Sequence, residues 1–159
     1  MKARWPVQQR LAVLLQRHPT LAGVKVTPSP PTQMTSAAEH VFCVGSTGTL
    51  TAGPLVSGRQ INDDEFTVDV RVITRKGGDM DGVQSRLATL CGAVYDVIAD
   101  GEVDGLALVD WGVEDDWEVH EVSPGDVTIE PQLDPQENFP YATALIGVVF
   151  EVRYFGGNR

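Results

Sequence analysis

Alternating apolar residues near the end of the chain constrain its fold most strongly. The segment from Tyr141 to Phe155, YATALIGVVFEVRYF, places apolar side chains at every second position from Ala144 onward. The segment from Phe66 to Thr74 repeats this pattern, with valines at even positions and charged residues between them. Period-two alternation rich in β-branched and aromatic residues is typical of a strand with one buried face. The chain is therefore expected to form a sheet with one apolar face.

The charges of these two strands predict how they pair. An antiparallel alignment can place Asp69 opposite Arg153 and Arg71 opposite Glu151, so that all four charges are matched. Moving one strand by two residues sets Asp69 against Glu151, and opposed like charges destabilise a sheet. We therefore predict the cross-strand charge pairs Asp69–Arg153 and Arg71–Glu151.

Two helices are expected to cover the apolar face of this sheet. Pro6 suits a first helical turn, and the valine and leucines that follow it form one apolar stripe. Gly77-Gly78 ends a strand, and Asp79 or Asp81 can cap a long helix that runs to about Ala99. The apolar positions of this second helix step by three and four residues, and they are Val83, Leu87, Leu90, Cys91, Val94, Val97 and Ile98.

The sequence predicts an α+β fold in a single domain, 1–159. The sheet is expected to be mixed, mainly antiparallel, with about four to six strands, and both helices are expected on one face. With 159 residues and 42% hydrophobic content, the chain can bury one core. The shorter strand-like stretches lie at about 24–26, 39–45, 106–110, 114–122 and 127–129.

Two segments are expected to be mobile loops, at about 27–36 and 46–62. The first is rich in proline, and the second contains three glycines, a proline and a single charge. Loops of this length are commonly functional. We interpret the second segment as the extended tip of a hairpin, which a partner protein is expected to cover. The candidate partner-binding residues of this tip are Leu50, Leu55, Val56 and Arg59.

Charge and composition exclude several classes of protein. The net charge of −10 argues against a basic surface that binds nucleic acid or an anionic membrane. No stretch approaches the roughly 20 apolar residues that cross a bilayer, and the first residues lack the apolar core of a signal peptide. Cys43 and Cys91 are expected to be free buried thiols, with a disulfide between them as the alternative.

An acidic run between residues 110 and 121 is the main candidate for chemistry. Carboxylates at Asp110, Glu114 or Asp116 could hold Mg²⁺ or act as acid and base in an enzyme. Consecutive positions on a strand point to both faces of a sheet, however, and no lysine, histidine or asparagine converges on this run. A solvated acidic face is therefore the favoured interpretation.

Other chemical motifs are incomplete. The segment Asp100 to Gly105 resembles the start of a calcium loop, but Trp111 stands where that loop needs a glutamate. The three histidines lack a second ligand at metal-binding spacing, and Ser57 lacks the glycines of a nucleophile elbow. Gly45-x-x-Gly48 is not followed by the lysine of a phosphate loop. We therefore expect no cofactor, no metal and no enzymatic activity.

The order of the predicted elements resembles a known family. A helix and short strand, LAVLLQRHPTLAGVKV, come first, and a glycine-rich hairpin then runs into FTVDVRVIT. A Gly-Gly-Asp turn opens the helix QSRLATLCGAVYDVIA, an acidic segment follows, and ALIGVVFEVRYFG closes the chain. This order resembles the tail terminator (tail completion) proteins of long-tailed, siphovirus-type bacteriophages, and the resemblance covers nearly the whole chain.

The resemblance implies a structural virion protein that assembles in the cytoplasm of the host bacterium. Six copies would form a ring that caps the tail tube at the neck and docks the head connector or head-closure protein. A ring of this kind needs two different, complementary patches on each subunit. A head-closure or adaptor protein of the neck is the nearest alternative. A metal-binding enzyme that uses residues 110–121, and a protein-binding module of a host bacterium, are alternatives of other classes.

Under the resemblance, the acidity of the chain has a role in the channel of the ring. DNA must pass through this channel without binding, and a negative wall repels phosphates. The residues predicted to line the channel are Glu114, Asp115, Asp116, Glu118 and Glu121.

Overall fold

The structure is a computed structural model that describes residues 2–32, 38–56, 59–104, 117–133 and 139–155. It confirms the predicted α+β class, with one mixed, five-stranded sheet in the order β1-β2-β3-β5-β4. Among the described strands, only β1 and β2 pair in parallel. The elements in chain order are α1 (Arg4–Arg17), a 3-10 turn (Pro19–Leu21), β1 (Lys25–Thr27), β2 (Glu39–Val56), β3 (Arg59–Thr74), α2 (Met80–Asp104), β4 (Trp117–Leu133) and β5 (Pro140–Phe155).

Both helices contribute to a single core on one face of the sheet. The even positions of β3 and β5 point into this core, where Phe66 and Phe150 stack with ring centroids 5.5 Å apart. All seven predicted apolar positions of α2 are buried, and Val7, Leu11 and Leu15 of α1 join them. The 3.6-residue and two-residue periods of the sequence therefore locate this core correctly.

The turn before α2 also follows the sequence prediction. Gly77 and Gly78 have positive φ angles of 143° and 81°, which residues other than glycine rarely adopt. Asp79 then caps the helix, because its carboxylate accepts a hydrogen bond of 2.7 Å from the backbone N–H of Gly82. The other end of the helix differs from the prediction, since α2 continues to Asp104. The acidic positions 100–104 are therefore helical, and they do not form a turn of the calcium-loop type.

Two buried ion pairs attach the helices to the sheet. Asp64 of β3 is fully buried and accepts hydrogen bonds of 3.0 and 2.7 Å from the guanidinium of Arg4. Glu39 of β2 accepts hydrogen bonds of 2.6 and 2.8 Å from Arg86 of α2, and a third bond from the hydroxyl of Thr74. These hydrogen bonds lower the pKa of Glu39, with the bond from Arg86 as the main cause. Paired in this way, the buried charges hold both helices in a fixed orientation on the sheet.

The expected loop at 46–62 is wrong for its described residues, 46–56 and 59–62, because they form regular strand in the two arms of the predicted hairpin. β2 and β3 pair from Glu39↔Thr74 to Val56↔Arg59, with bulges after Cys43 and after Ala52. Gly48 is needed where the strands approach closely, since a Cβ there would lie 2.1 Å from the carbonyl oxygen of Glu65. The glycines that suggested a loop therefore mark bulges and close contacts within a hairpin.

The predicted pairing of the two main strands is right in partner and direction but wrong in register. Asp69 lies opposite Gly147, and Arg71 lies opposite Leu145, so neither forms the predicted charge pair. The predicted register would pair only residues 67–74 of β3 with β5, whereas the observed one pairs all of Ile61–Thr74. The longer ladder of backbone hydrogen bonds, together with the Phe66–Phe150 contact, outweighs the matching of exposed charges.

Other differences concern the ends of elements. The described residues of the two strands expected at 114–122 and 127–129 are parts of one strand, β4, which begins at Trp117 and is interrupted by bulges. In the first expected loop, residues 28–32 are irregular, and Gln8 donates a hydrogen bond of 2.6 Å to the carbonyl of Pro28. The rest of that loop, at 33–36, and the strand expected at 106–110 lie outside the described residues. No helix in the described part of the chain is long and apolar enough to span a membrane.

Candidate functional site

The sheet has one face that no helix of the described residues covers, and we call it the open face. It carries the odd positions of β3 and β5, because the even positions of both strands point into the core. Most of these odd positions are partly or fully exposed. A sheet with one buried and one exposed face normally alternates apolar and polar side chains. The open face is therefore the surface on which this fold can display polar chemistry.

Three glutamates cross the open face in a line, which we call the carboxylate row. Glu65 of β3 lies opposite Glu151 of β5, and Glu151 lies opposite Glu121 of β4. Residues directly opposite one another on antiparallel strands have Cβ atoms about 4.5–5.5 Å apart. Like charges at this spacing destabilise a sheet, so local packing does not explain this arrangement.

A bulge in β4 brings Glu121 into the carboxylate row. Val119 lies opposite Val152 and points into the core, and two residues later Glu121 would normally share that face. The register shifts between Val119 and Glu121, so that Glu121 faces Glu151 instead. Bulges commonly redirect a side chain in this way near functional sites.

A second row lies beside the first and adds two more carboxylates. Asp63 of β3 and Glu118 of β4 flank Arg153 of β5. The carboxylate of Asp63 accepts a hydrogen bond of 2.9 Å from Arg153, and this bond raises the pKa of the guanidinium. The two rows together hold five carboxylates and one cation, so this end of the open face is strongly acidic.

The predicted channel-lining residues are only partly described. Glu118 and Glu121 lie together on the open face, whereas Glu114, Asp115 and Asp116 lie outside the described residues. Sequence reasoning missed Asp63 and Glu65, because they fell between the expected loop at 46–62 and the strand predicted from Phe66. Their odd numbers, continuing the alternation from Asp69, are the signal that could have placed them on this face.

Two of the predicted partner-binding residues, Leu50 and Leu55, lie on the other face, toward the end of the hairpin. Leu50 lies opposite the buried Asp64 and is 47% exposed, and Leu55 is 74% exposed. We call these two residues the hairpin patch. Val56 and Arg59 close the hairpin as a backbone pair, but their side chains lie outside the described residues.

A second apolar patch lies on β4, the strand at the opposite edge of the sheet. Ile129 and Leu133 are 56% and 59% exposed, and Val127 is also exposed. Their partners on β5 place them on the helix side of the sheet. We call these three residues the β4 patch, which sequence reasoning did not single out. Period-two alternation of Val127, Ile129, Pro131 and Leu133 is the signal that could have found it.

The remaining candidates for chemistry are structural in the described residues. Buried Cys43 and Cys91 are free, and burial raises the pKa of their thiols to about 12 and about 11, respectively. His18 pairs with the exposed Asp96 at 3.1 Å, and burial lowers the pKa of His40. The described residues contain no group of three histidine, cysteine or acidic side chains that could hold a metal ion.

Two comparisons with known proteins were negative. No family model matches the chain, and no curated protein matches it.

Proposed function

We propose that this protein is a structural virion component that caps the tail tube of a long-tailed bacteriophage as a ring. In this role it has no enzymatic activity, and it acts in the neck of the virion after assembly in the host cytoplasm. The tail tube protein and the head connector are its partners, and DNA passes through the ring without being bound. The observation that carries the proposal is the acidic open face of a one-sided sheet.

The open face has the chemistry that a DNA channel needs. Basic residues on a channel wall would displace the counterions of DNA, and the wall would then bind the DNA. The two acidic rows instead present five carboxylates beside one guanidinium. Such a surface repels phosphates over about 10 Å at 0.1 M salt, which favours passage without binding.

The two apolar patches fit the assembly part of the proposal. A ring of identical subunits needs two different patches on each copy. The hairpin patch and the β4 patch lie at opposite edges of the sheet and on its same face. Exposed apolar residues that are grouped in this way are typical of contact surfaces between proteins.

The first test is the native mass and the shape of the purified protein. Six copies of a 17.2 kDa chain would form a closed ring of about 100 kDa. Native mass spectrometry and negative-stain images should show rings with a central hole, either free or on the ends of purified tail tubes. A protein that stays monomeric and also fails to bind tails would contradict the proposal.

The second test locates the open face in the ring. A reconstruction from cryo-electron microscopy should place Glu151 on the wall of the channel. Rings with Glu151 on their outer wall would show that the acidic face does not contact DNA. Rings that bind to head connectors but not to tails would favour the alternative of a head-closure or adaptor protein.

A further inference from the structure

Two long strand edges lack a pairing partner in the described part of the chain. β4 is the last strand of the sheet, and its outer edge runs from Trp117 to Leu133. β2 pairs with β1 only at residues 40–42, so its edge beyond Phe42 is also unpaired by any described strand. Unpaired edges expose backbone N–H and C=O groups and readily accept another strand.

The two edges have the correct direction to pair with each other between copies. β2, β3, β5 and β4 are each antiparallel to the next strand in the sheet, so β2 and β4 run in opposite directions. Two copies placed side by side in the same orientation would therefore bring the β4 edge of one against the β2 edge of the next. The new pair would be antiparallel, and each face of the sheet would continue across it.

The charges of the edges favour this arrangement over symmetric ones. β4 carries four carboxylates, at Glu118, Glu121, Asp126 and Glu130, and it has no lysine or arginine. Pairing two β4 edges would bring the four carboxylates of each copy to one seam, and like charges close together across strands are unfavourable. After Glu39, β2 contains no charged residue up to Val56. A contact between β4 and β2 thus avoids the repulsion that a symmetric β4 contact would create.

The apolar patches set the register of the contact. Leu50 on β2 and Ile129 on β4 both project to the helix side of the sheet. Placing them opposite one another brings the exposed Leu50 against the centre of the β4 patch. On the open face, this register sets Thr49 opposite Glu130 and Thr51 opposite Thr128, which are pairs without opposed charges.

We propose that copies of this chain associate by edge pairing, with β4 of one copy antiparallel to β2 of the next and Ile129 opposite Leu50 of that neighbour. The contact uses two different surfaces, so repetition produces either a closed ring or an open filament. The inference rests on the proposed function in one respect: the choice of a closed ring over an open filament comes from that function.

This contact also decides which face of the sheet lines the channel. The helices add a layer about 10 Å thick on one face, and the thicker side needs the larger circumference. The helices therefore lie outside, and the open face with its carboxylate row lies inside. Six copies of the four strands β2, β3, β5 and β4, tilted by about 40° and spaced by about 4.8 Å, would enclose a channel with a backbone radius of about 24 Å.

Cysteine cross-linking tests the edge contact directly. Thr49→Cys and Glu130→Cys change two exposed positions, and each is made in a separate chain. Mixing the two variants under mild oxidation should produce a disulfide-linked dimer, whereas either variant alone should not. The double variant T49C/E130C should give a ladder of linked species that ends at the ring. The background should be low because the high thiol pKa values of Cys43 and Cys91 suppress their reaction.

A substitution in the β4 patch provides an independent measurement. Ile129→Glu should abolish the rings, because it places a charge in the contact. The thermal midpoint of the monomer should change by less than about 2 °C, because the side chain is exposed. Tyr95→Glu is the matched control, because Tyr95 is an exposed apolar residue of α2 on the outer layer. It should leave the rings intact.

The possible outcomes separate this inference from the proposed function. Rings of the wild-type protein without a T49C–E130C cross-link would refute the edge contact and leave the function standing. A cross-link of E130C with itself would show a symmetric β4 contact and overturn the inference. Cross-linked filaments without closed rings, and without binding to tails, would support the edge contact and count against the tail-capping role.

Discussion

The carboxylate row makes a prediction about stability that does not depend on assembly. Glu151 lies between Glu65 and Glu121, so the single substitution Glu151→Gln removes two opposed pairs of like charge. Each such cross-strand pair costs about 0.2–1 kcal/mol. Glu151 also attracts the neighbouring Arg153, and that loss offsets part of the gain. The expected net stabilisation is about 0.5–1 kcal/mol, or about 1–4 °C in the thermal midpoint of a chain of this length.

The assay is urea unfolding of dilute, monomeric protein at neutral pH, followed by circular dichroism. At 0.1 M salt the Debye length is about 10 Å, longer than the spacing of the row, and at 1 M it is about 3 Å. The stabilisation should therefore be present at low salt and shrink at high salt. This dependence distinguishes relief of repulsion from a change in packing, which salt would leave unaltered.

Glu118→Gln is the matched control for this prediction. Glu118 lies on β4 like Glu121, but it faces Arg153 instead of a carboxylate. Its removal should leave stability unchanged or lower it by up to about 0.5 kcal/mol, as for other exposed pairs. If Glu151→Gln destabilised the protein at low salt, or if both substitutions had the same effect, the reasoning about the row would be wrong.

Three further predictions concern the ion pairs and the hairpin. Glu39→Gln should lower the free energy of unfolding by about 1–3 kcal/mol at pH 7, as measured by urea unfolding. Hydrogen bonds lower the pKa of Glu39 below its ordinary 4.5, so the stability difference between the variant and the wild type should narrow as the pH falls below that value. Asp64→Asn should cost about 3 kcal/mol in the same assay, since it leaves the guanidinium of Arg4 without its buried carboxylate. Gly48→Ala should cost about 1–3 kcal/mol because its Cβ meets a backbone carbonyl of β3, whereas Gly45→Ala, with open space around its Cβ, should cost less than half as much by thermal unfolding.

The core of this fold could be predicted from the sequence because burial imposes a period. The predicted apolar positions of β3 and β5 and the stripe of α2 each repeat one pattern over many residues, and all of them are buried except Tyr154, which is partly buried. Asp79 as the helix cap and Gly77-Gly78 as the turn also follow from local chemistry. These features depend on residues close together in the chain, so one sequence is sufficient to find them.

The register of β3 against β5 could not be predicted in this way. A shift by six residues keeps every apolar side chain on the same face, so the alternation allows both registers. The charges of Asp69 and Arg71 favoured the wrong one, because exposed pairs contribute little compared with a longer backbone ladder. The glycines of the hairpin led to the wrong prediction of a loop for a related reason. Gly48 is required because the strand approaches β3 closely there, and this approach is known only once the strands are paired.

The same error of register hid the candidate site. In the predicted alignment Glu151 faced Arg71, and no carboxylate row existed; in the structure it faces Glu65 and Glu121. The row crosses three adjacent strands and depends on a bulge in β4. This arrangement places like charges opposite one another, which costs stability. A neutral residue at any one of these positions would relieve that cost without disturbing the core. A surface that must repel DNA would show this pattern. The DNA channel that we propose, built from the open faces of edge-paired sheets, would account for the row, the two apolar patches and the strand edges that no described strand pairs with.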